Sequence, residues 1–285
     1  MQDTAVGSAS DTIATTGLPL LESLISERIG IQCKPEKREH LVRKLTPLAR
    51  EQGASSALAY YYLLREKPTE GAEWQRLVGA LVVRESRFWR EMDPILALVR
   101  EVVPALLRQN RGRPVRLWSA GCACGEEPYS LAIALQEAGL LRPQTVEIIG
   151  TDINLACLQE AQAARYTPRA LRDLPAALRE RYFVPEEGGR RYRLREEVAH
   201  SVAFRYLNLL DREGVARMAP VDAILCRNVF IYFSPAAIAS TLESFHAVLN
   251  APGYLVVAAA ESLARQHGRF RLVQVADAYL HRKEP

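Results

Sequence analysis

Leu117-Trp-Ser-Ala-Gly-Cys-Ala-Cys-Gly-Glu-Glu-Pro-Tyr-Ser130 is the stretch on which the reading of this 285-residue chain turns. It begins inside a short apolar run, Val115–Trp118, that reads as a buried strand. It ends inside a helix over Glu127–Ala138 with Pro128 in its first turn. A strand, a glycine-bearing loop and a helix place a ligand at the carboxyl end of an open α/β sheet. Gly121 and Gly125 let the backbone approach that ligand closely. The spacing matches neither G-x-G-x-x-G nor G-x-x-x-x-G-K-[ST]. Glu126 and Glu127 stand where a phosphate would meet the helix N-terminus, and two carboxylates there repel a pyrophosphate. They suit a ligand that carries positive charge and no phosphate.

The next strand, Val146–Gly150, leads to Thr151-Asp152, and Asp152 lies 31 residues after Gly121. An acidic residue at that strand end can hydrogen-bond both hydroxyls of a ribose. A nucleoside with an ammonium, a sulfonium and no phosphate describes S-adenosylmethionine. Plainer roles stand beside these: Asp152 as N-cap of the following helix, the glycines as a tight turn, and Glu126 as a partner of the helix dipole. The residues alone give a nucleoside-binding α/β domain.

Further outward, Leu155–Ala164 reads as a helix and Val221–Cys226 as a strand. Ser234–Leu249 is a helix with a Ser cap and Pro235 at its first position, and Tyr254–Ala260 is a strand. Short apolar strands alternating with helices predict a parallel sheet covered on both faces. Tyr182–Asn208 breaks the rhythm. The Gly188-Gly189 turn and the alternation of Tyr192, Leu194, Val202, Phe204 and Tyr206 predict a small antiparallel insertion over 182–207.

Upstream the pattern is helical. Leu18, Leu21, Ile25 and Ile29 share a face that Gly30 ends. A second helix starts near Pro35, with Leu41, Val42, Leu45 and Leu48 on its apolar side and Pro47 expected to kink or end it. Helical segments follow near 57–64, 73–82 and 93–109. The expected organisation is a disordered tail over 1–17, a helical domain over 18–92, a linker helix over 93–114 and an α/β domain over 115–285.

Hydrophobic residues make up 48% of the chain and charged residues 25%, the ordinary globular balance. No run approaches the roughly 20 apolar residues of a membrane span. Met1–Gly17 has neither a basic nor an apolar signal region, so the expectation is a cytoplasmic protein without membrane insertion. Its five cysteines are then read as reduced thiols. Residues 114–285 carry 20 basic and 19 acidic side chains, which gives no support for nucleic-acid binding. Lys34–Arg50 holds six Lys/Arg against two Glu, either a solvated helix face or a dock for an acidic partner. Cys122-x-Cys124 has no second Cys/His pair and the five histidines show no ligand spacing, so no metal is expected. No G-x-S-x-G elbow is present.

The chain resembles the chemotaxis receptor methyltransferases, the CheR family, over about Leu18–Arg282. The resemblance rests on Trp118-Ser-Ala-Gly121, Gly125-Glu-Glu-Pro-Tyr-Ser130, Leu225-Cys-Arg-Asn-Val-Phe-Ile-Tyr-Phe233, Arg84-Glu-Ser-Arg-Phe-Trp-Arg-Glu91, Thr151-Asp-Ile153 and Asn208-Leu-Leu210. It implies a helical N-terminal domain, then a Rossmann-like S-adenosylmethionine-dependent methyltransferase domain with a small antiparallel β-subdomain. It implies methyl transfer to glutamate side chains of chemoreceptors, with S-adenosylhomocysteine as product. Glu127 then matches the residue that binds the amino group of the cofactor's methionine portion, and Asp152 the ribose carboxylate. Asn208, Leu209, Arg227 and Asn228 match segments around the adenine and the rest of the cofactor, and Ser86 stands where the family has Thr. Arg90 and Tyr232 match the Arg and Tyr beside the transferred methyl, and the resemblance places Arg90 among the cofactor-binding residues as well. The basic helix would face the acidic receptor bundle, and the β-subdomain a receptor tail peptide, although its short turn weakens that expectation. Arg84 replaces a usual Asn beside the cofactor, and Trp89 a usual Phe. A monomer is expected. The competing readings are a methyltransferase for another substrate and a cofactor-sensing relative without turnover.

Overall fold

The computed structural model describes residues 12–82, 84–110, 112–261, 263 and 268–284. The chain divides into two compact units, and the division falls between Val82 and Val83.

The first unit carries α1 (Leu18–Ile29), α2 (Arg38–Glu51), α3 (Ala57–Arg65) and α4 (Ala72–Leu81). Leu21, Ile25, Leu45, Tyr60, Leu64, Trp74 and Leu77 are among its fully buried side chains. Its buried polar atoms are paired: the Tyr60 hydroxyl donates to Glu73 at 2.5 Å and the Trp74 indole N–H to the Leu64 carbonyl at 3.1 Å. Two expectations are corrected. Pro47 does not end α2, which runs four residues past it. Pro47 and Arg43 both lie on the exposed face, so the carbonyl that loses its N–H partner turns to water. Of the tail expected to be disordered, residues 1–11 lie outside the described residues, but 12–17 are placed. Ile13 is buried, and Ala14 exchanges backbone hydrogen bonds with Ser55 and Ala57.

The second unit opens with a helical rod, α5 (Asp93–Ala97) and α6 (Val103–Gln109), joined without a break through a π-helical turn at Leu98–Val102. The turn sits just ahead of Pro104, which lacks the N–H that an α-helix uses. This rod is no linker. Phe88, Met92, Ile95, Leu98, Val99 and Leu106 form one core with β1 (Val115–Ala120) and α7 (Glu126–Glu137). Residues 84–92, expected with the helical domain, therefore belong to the second unit because Phe88 and Met92 are buried in its core.

After α7 come β2 (Val146–Asp152), α8 (Leu155–Ala163), β3 (Arg165–Tyr166), α9 (Ala176–Tyr182), β4 (Phe183–Glu186), β5 (Arg191–Leu194), α10 (Glu196–Ala199) and β6 (Val202–Tyr206). Then follow α11 (Arg212–Ala216), β7 (Val221–Leu225), α12 (Pro235–Val248), β8 (Leu249–Val256), β9 (Arg271–Val275) and β10 (Ala278–Lys283). The main sheet has seven strands in the order β6-β2-β1-β7-β8-β10-β9. The first five are parallel, and β10 runs antiparallel to both β8 and β9, so the sheet is mixed rather than purely parallel. The order reverses at β1, between β2 and β7, and a doubly wound sheet opens its ligand crevice at such a point.

The insertion is also corrected. The small antiparallel sheet is β3-β5-β4, so it begins at Arg165. Val202–Tyr206 does not join it. That strand lies on the edge of the main sheet, parallel to β2, with Tyr206 opposite Asp152. It alternates because one face is open to solvent, as an antiparallel strand commonly is.

Candidate active site

The carboxyl ends of β1, β2, β6 and β7 meet at the reversal point, and Ser119, Asp152, Asn208, Arg227 and Asn228 lie at these strand ends or in the loops that leave them. The β1–α7 loop is held against β2 by the Gly121 and Cys122 N–H groups, which donate to the Thr151 carbonyl at 2.8 and 2.9 Å. Gly121 has φ 78°, and a Cβ there would sit 2.5 Å from Val229 Cγ2. Gly125, at φ 91°, would meet Ala161 Cβ at 2.9 Å. Both positions need glycine for conformation and for space. Trp89, Glu91, Ala123 and Asn228 also have positive φ. Four of the seven non-glycine residues with positive φ among the described residues thus lie in the segments around this crevice, a clustering that marks it as a candidate site.

Glu127 is the centre of the polar network. Ser119 Oγ, at the end of β1, donates to its Oε1 at 2.8 Å, and Arg227 Nη1, just past β7, donates to its Oε2 at 3.3 Å. Burial pushes the Glu127 carboxyl up from its usual range, and Arg227 opposes that shift. Arg227 is itself only 3% exposed. Its Nη2 donates to the carbonyls of Arg90 and Glu91, both at 2.9 Å. One guanidinium thus ties the segment carrying Arg90 to α7.

Asp152 accepts from the backbone N–H groups of Ala123 and Asn154, each at 2.8 Å. It does not cap the following helix. Asn154 does, accepting from Ala156 and Cys157 N–H. Asp152 is buried, and burial raises its carboxyl against the pull of those N–H bonds. Leu207 N–H donates to the Asp152 carbonyl at 3.1 Å, which sets buried Asn208 and Leu209 beside the same strand end.

Glu126 behaves unlike its neighbour. It is 5% exposed, and its Oε2 has no partner. Ser86 hydrogen-bonds its carboxyl, yet burial pushes that group up to about 7. Arg90 keeps its Nε buried and unpartnered, and the nearest carboxylate oxygen, on Glu91, is 3.6 Å away. Tyr232 sits on a 3₁₀ turn after β7 and is 38% exposed, which rejects a core role for its ring. Phe88 is core, stacked edge-on against Tyr166 and Phe183. Arg84 is committed to α8, where it pairs with Glu160 and donates to Cys157 Sγ at 3.2 Å.

Two contributors carried no sequence signal. Asn154 Nδ2 is buried and unpartnered at the same strand end. Buried Glu261, beyond β8, accepts from the N–H groups of Asn228, Ala258 and Ile231 at 2.8, 3.0 and 3.4 Å. It fixes the loop that presents Asn228 and Tyr232.

Two family models divide the chain between them. An all-α domain of CheR methyltransferases matches residues 17–82, and the S-adenosylmethionine-binding domain of CheR methyltransferases matches residues 84–279. This chain belongs to the CheR methyltransferase family. The chemotaxis protein methyltransferase 2 of Vibrio cholerae is 33% identical over 84% of this chain and 83% of its own length. Chemotaxis protein methyltransferase 1 of Pseudomonas aeruginosa is 30% identical over 94% and 98%. That of Escherichia coli K12 is 30% identical over 88% and 86%. CheR methyltransferases use S-adenosylmethionine, and the crevice fits it. The Asp152 carboxyl stands at the carboxyl end of β2, and Glu127 offers a partly screened anion. Arg90 Nε and Asn154 Nδ2 are buried donors with no protein acceptor. No described helix is long and apolar enough to cross a membrane.

Proposed function

We propose that this protein transfers methyl from S-adenosylmethionine to glutamate side chains of chemoreceptor cytoplasmic domains, giving glutamyl methyl esters. When bound, S-adenosylmethionine supplies an electrophilic methyl on a sulfonium. Glu127 would hold its ammonium and Asp152 its ribose, with Ser86, Asn208, Leu209, Arg227 and Asn228 completing the pocket. A glutamate is already ionised at neutral pH, so no base is needed. The protein's task is placement, worth about 7–11 kcal/mol in favourable cases.

Arg90 carries the reading. Its buried, unpartnered Nε is a cationic donor in a site whose other ionisable groups are chiefly carboxylates. A guanidinium holds an incoming carboxylate in a fixed fork and offsets its repulsion from Glu127. The hold must stay moderate, because a pairing stronger in the ground state than in the transition state lowers the rate. Tyr232, exposed beside Asn228, orients the glutamate or shapes the methyl pocket.

The test is transfer of labelled methyl to a receptor cytoplasmic fragment, with the label released by base as methanol. Label that appears with wild type and vanishes with Arg90→Ala supports the proposal. S-adenosylhomocysteine binding without any transfer would replace it with a sensor.

A further inference from the structure

One group of side chains beside the cofactor loop has no part in that chemistry. Cys124, on the β1–α7 loop, and Cys157, in the first turn of α8, are both buried and close enough that each thiol perturbs the other's protonation. Arg84 spans the pair, with Nε 3.2 Å from Cys157 Sγ and Nη2 3.8 Å from Cys124 Sγ. Glu160 pairs with Arg84 and accepts from the Cys124 thiol at 3.4 Å. Arg84 and Glu160 are 41% and 56% exposed, so the sulfurs lie one side-chain layer from water.

A thiolate is stabilised by neighbouring donors and cations. The Cys124 thiol and the Arg84 guanidinium hold Cys157 below the ordinary thiol range, against burial and Asp152. Cys124 is pushed up, by the neighbouring Cys157 and by burial. The geometry divides the two sulfurs in the same sense: the guanidinium stands closer to Cys157 Sγ than to Cys124 Sγ, and Glu160 holds the Cys124 proton, which leaves Cys157 as the nucleophile and Cys124 as the proton-bearing partner.

We propose that Cys157 and Cys124 form an oxidation site for hydroperoxides, with Cys157 as the reacting sulfur, Cys124 as the resolving thiol and Arg84 as the activating cation. The Cys157 thiolate attacks the peroxide. An S–O bond forms, the O–O bond breaks, and hydroxide leaves with the electron pair, so sulfur is oxidised and peroxide reduced. Cys124 then attacks the Cys157 sulfenic acid. The S–S bond forms, the S–O bond breaks, and the Cys124 proton leaves in water. A disulfide draws the sulfurs to about 2.05 Å, closer than non-bonded sulfurs approach. Closure therefore pulls Cys124, and with it Ala123, whose N–H holds Asp152. Oxidation loosens the cofactor crevice.

The full chain contains its own control. Cys33 is more exposed than Cys157, but burial and Glu22 push its thiol up to about 11. Treatment with hydrogen peroxide at neutral pH, thiol blocking and peptide mapping read the outcome without reference to methyl transfer. A Cys124–Cys157 disulfide reversed by dithiothreitol is expected, with Cys33 untouched. Cys124→Ser should trap Cys157 as a sulfenic acid, and Arg84→Gln should slow the reaction. Oxidation of Cys33 first, a bridge to Cys122, or an unchanged rate in Arg84→Gln would overturn the assignment. Affinity for S-adenosylhomocysteine should fall at least about fivefold in the oxidised protein and recover on reduction. An unchanged affinity would overturn the link to the crevice.

Discussion

The two ends of the main sheet treat buried carboxylates in opposite ways. At the amino end of β7, Asp222 is 1% exposed and surrounded by donors. Arg113 grips it with two bonds of 2.8 Å, Asn250 Nδ2 donates at 2.7 Å, Arg116 N–H at 2.9 Å and Asn110 at 3.2 Å. Burial alone would raise its carboxyl, but this ring of donors holds it below the usual range. At the carboxyl end, Asp152, Glu126 and Glu127 are all raised by burial. Four of the five buried side-chain atoms that lack a partner among the described residues cluster there: Arg90 Nε, Glu126 Oε2, Asn154 Nδ2 and Arg227 Nε. A satisfied buried charge stabilises a fold, whereas an under-satisfied set is kept for something that is not protein.

Four experiments would break or sharpen this contrast. The largest effect is expected from Asp222→Ala. It strips a buried charge from its donors and should cost about 3 kcal/mol, toward the low end for such pairs because Arg113 stays partly hydrated. Urea unfolding checks it, and methyl transfer per folded molecule should be unchanged. Next is Arg90→Lys, which keeps the charge but loses the fork. Its kcat should drop about 100-fold with little change in S-adenosylhomocysteine affinity. Equal loss of both would place Arg90 in the cofactor pocket instead.

Glu127→Gln should weaken cofactor binding about tenfold in calorimetric titration. It should leave thermal stability unchanged or higher, since the ionised carboxyl is disfavoured by its burial. A large loss of stability would make Glu127 a second Asp222. The smallest effect concerns pH. Glu126, near 7 when folded against an ordinary 4.5, holds a proton that the unfolded chain releases. Its contribution is full below pH 4.5 and is lost as pH rises toward 7. Asp222 has the opposite sign: its contribution is present above its ordinary 3.8 and is lost as pH falls through its lowered value. Glu126→Gln should flatten the fall in melting temperature between pH 5 and 7 and leave the acid limb unchanged.

The glycine loop was legible because its requirements are local. Gly121 and Gly125 sit in backbone conformations that only glycine adopts cheaply, and Asp152 follows at a strand end that its own apolar run announces. Val202–Tyr206 was misplaced because alternation reports a half-exposed strand and not its partner. Residues 84–92 were assigned to the wrong unit because Phe88 looks equally apolar in any core. The oxidisable pair was invisible for a similar reason, since Cys124 and Cys157 are 33 positions apart and meet only when α8 packs beside the loop.

By itself, the sequence determined what local chemistry dictates: the alternating strands and helices, the family, the cofactor, and the glycine loop between β1 and α7. The tertiary structure decided which charges are neutralised and which stay poised. Asp222 finds Arg113 across 109 positions, and Glu127 finds Arg227 across 100. Neither pairing has a periodicity or a motif to announce it. Each exists because strand order brings distant segments within a few ångströms, where burial makes a charge expensive and a partner decisive.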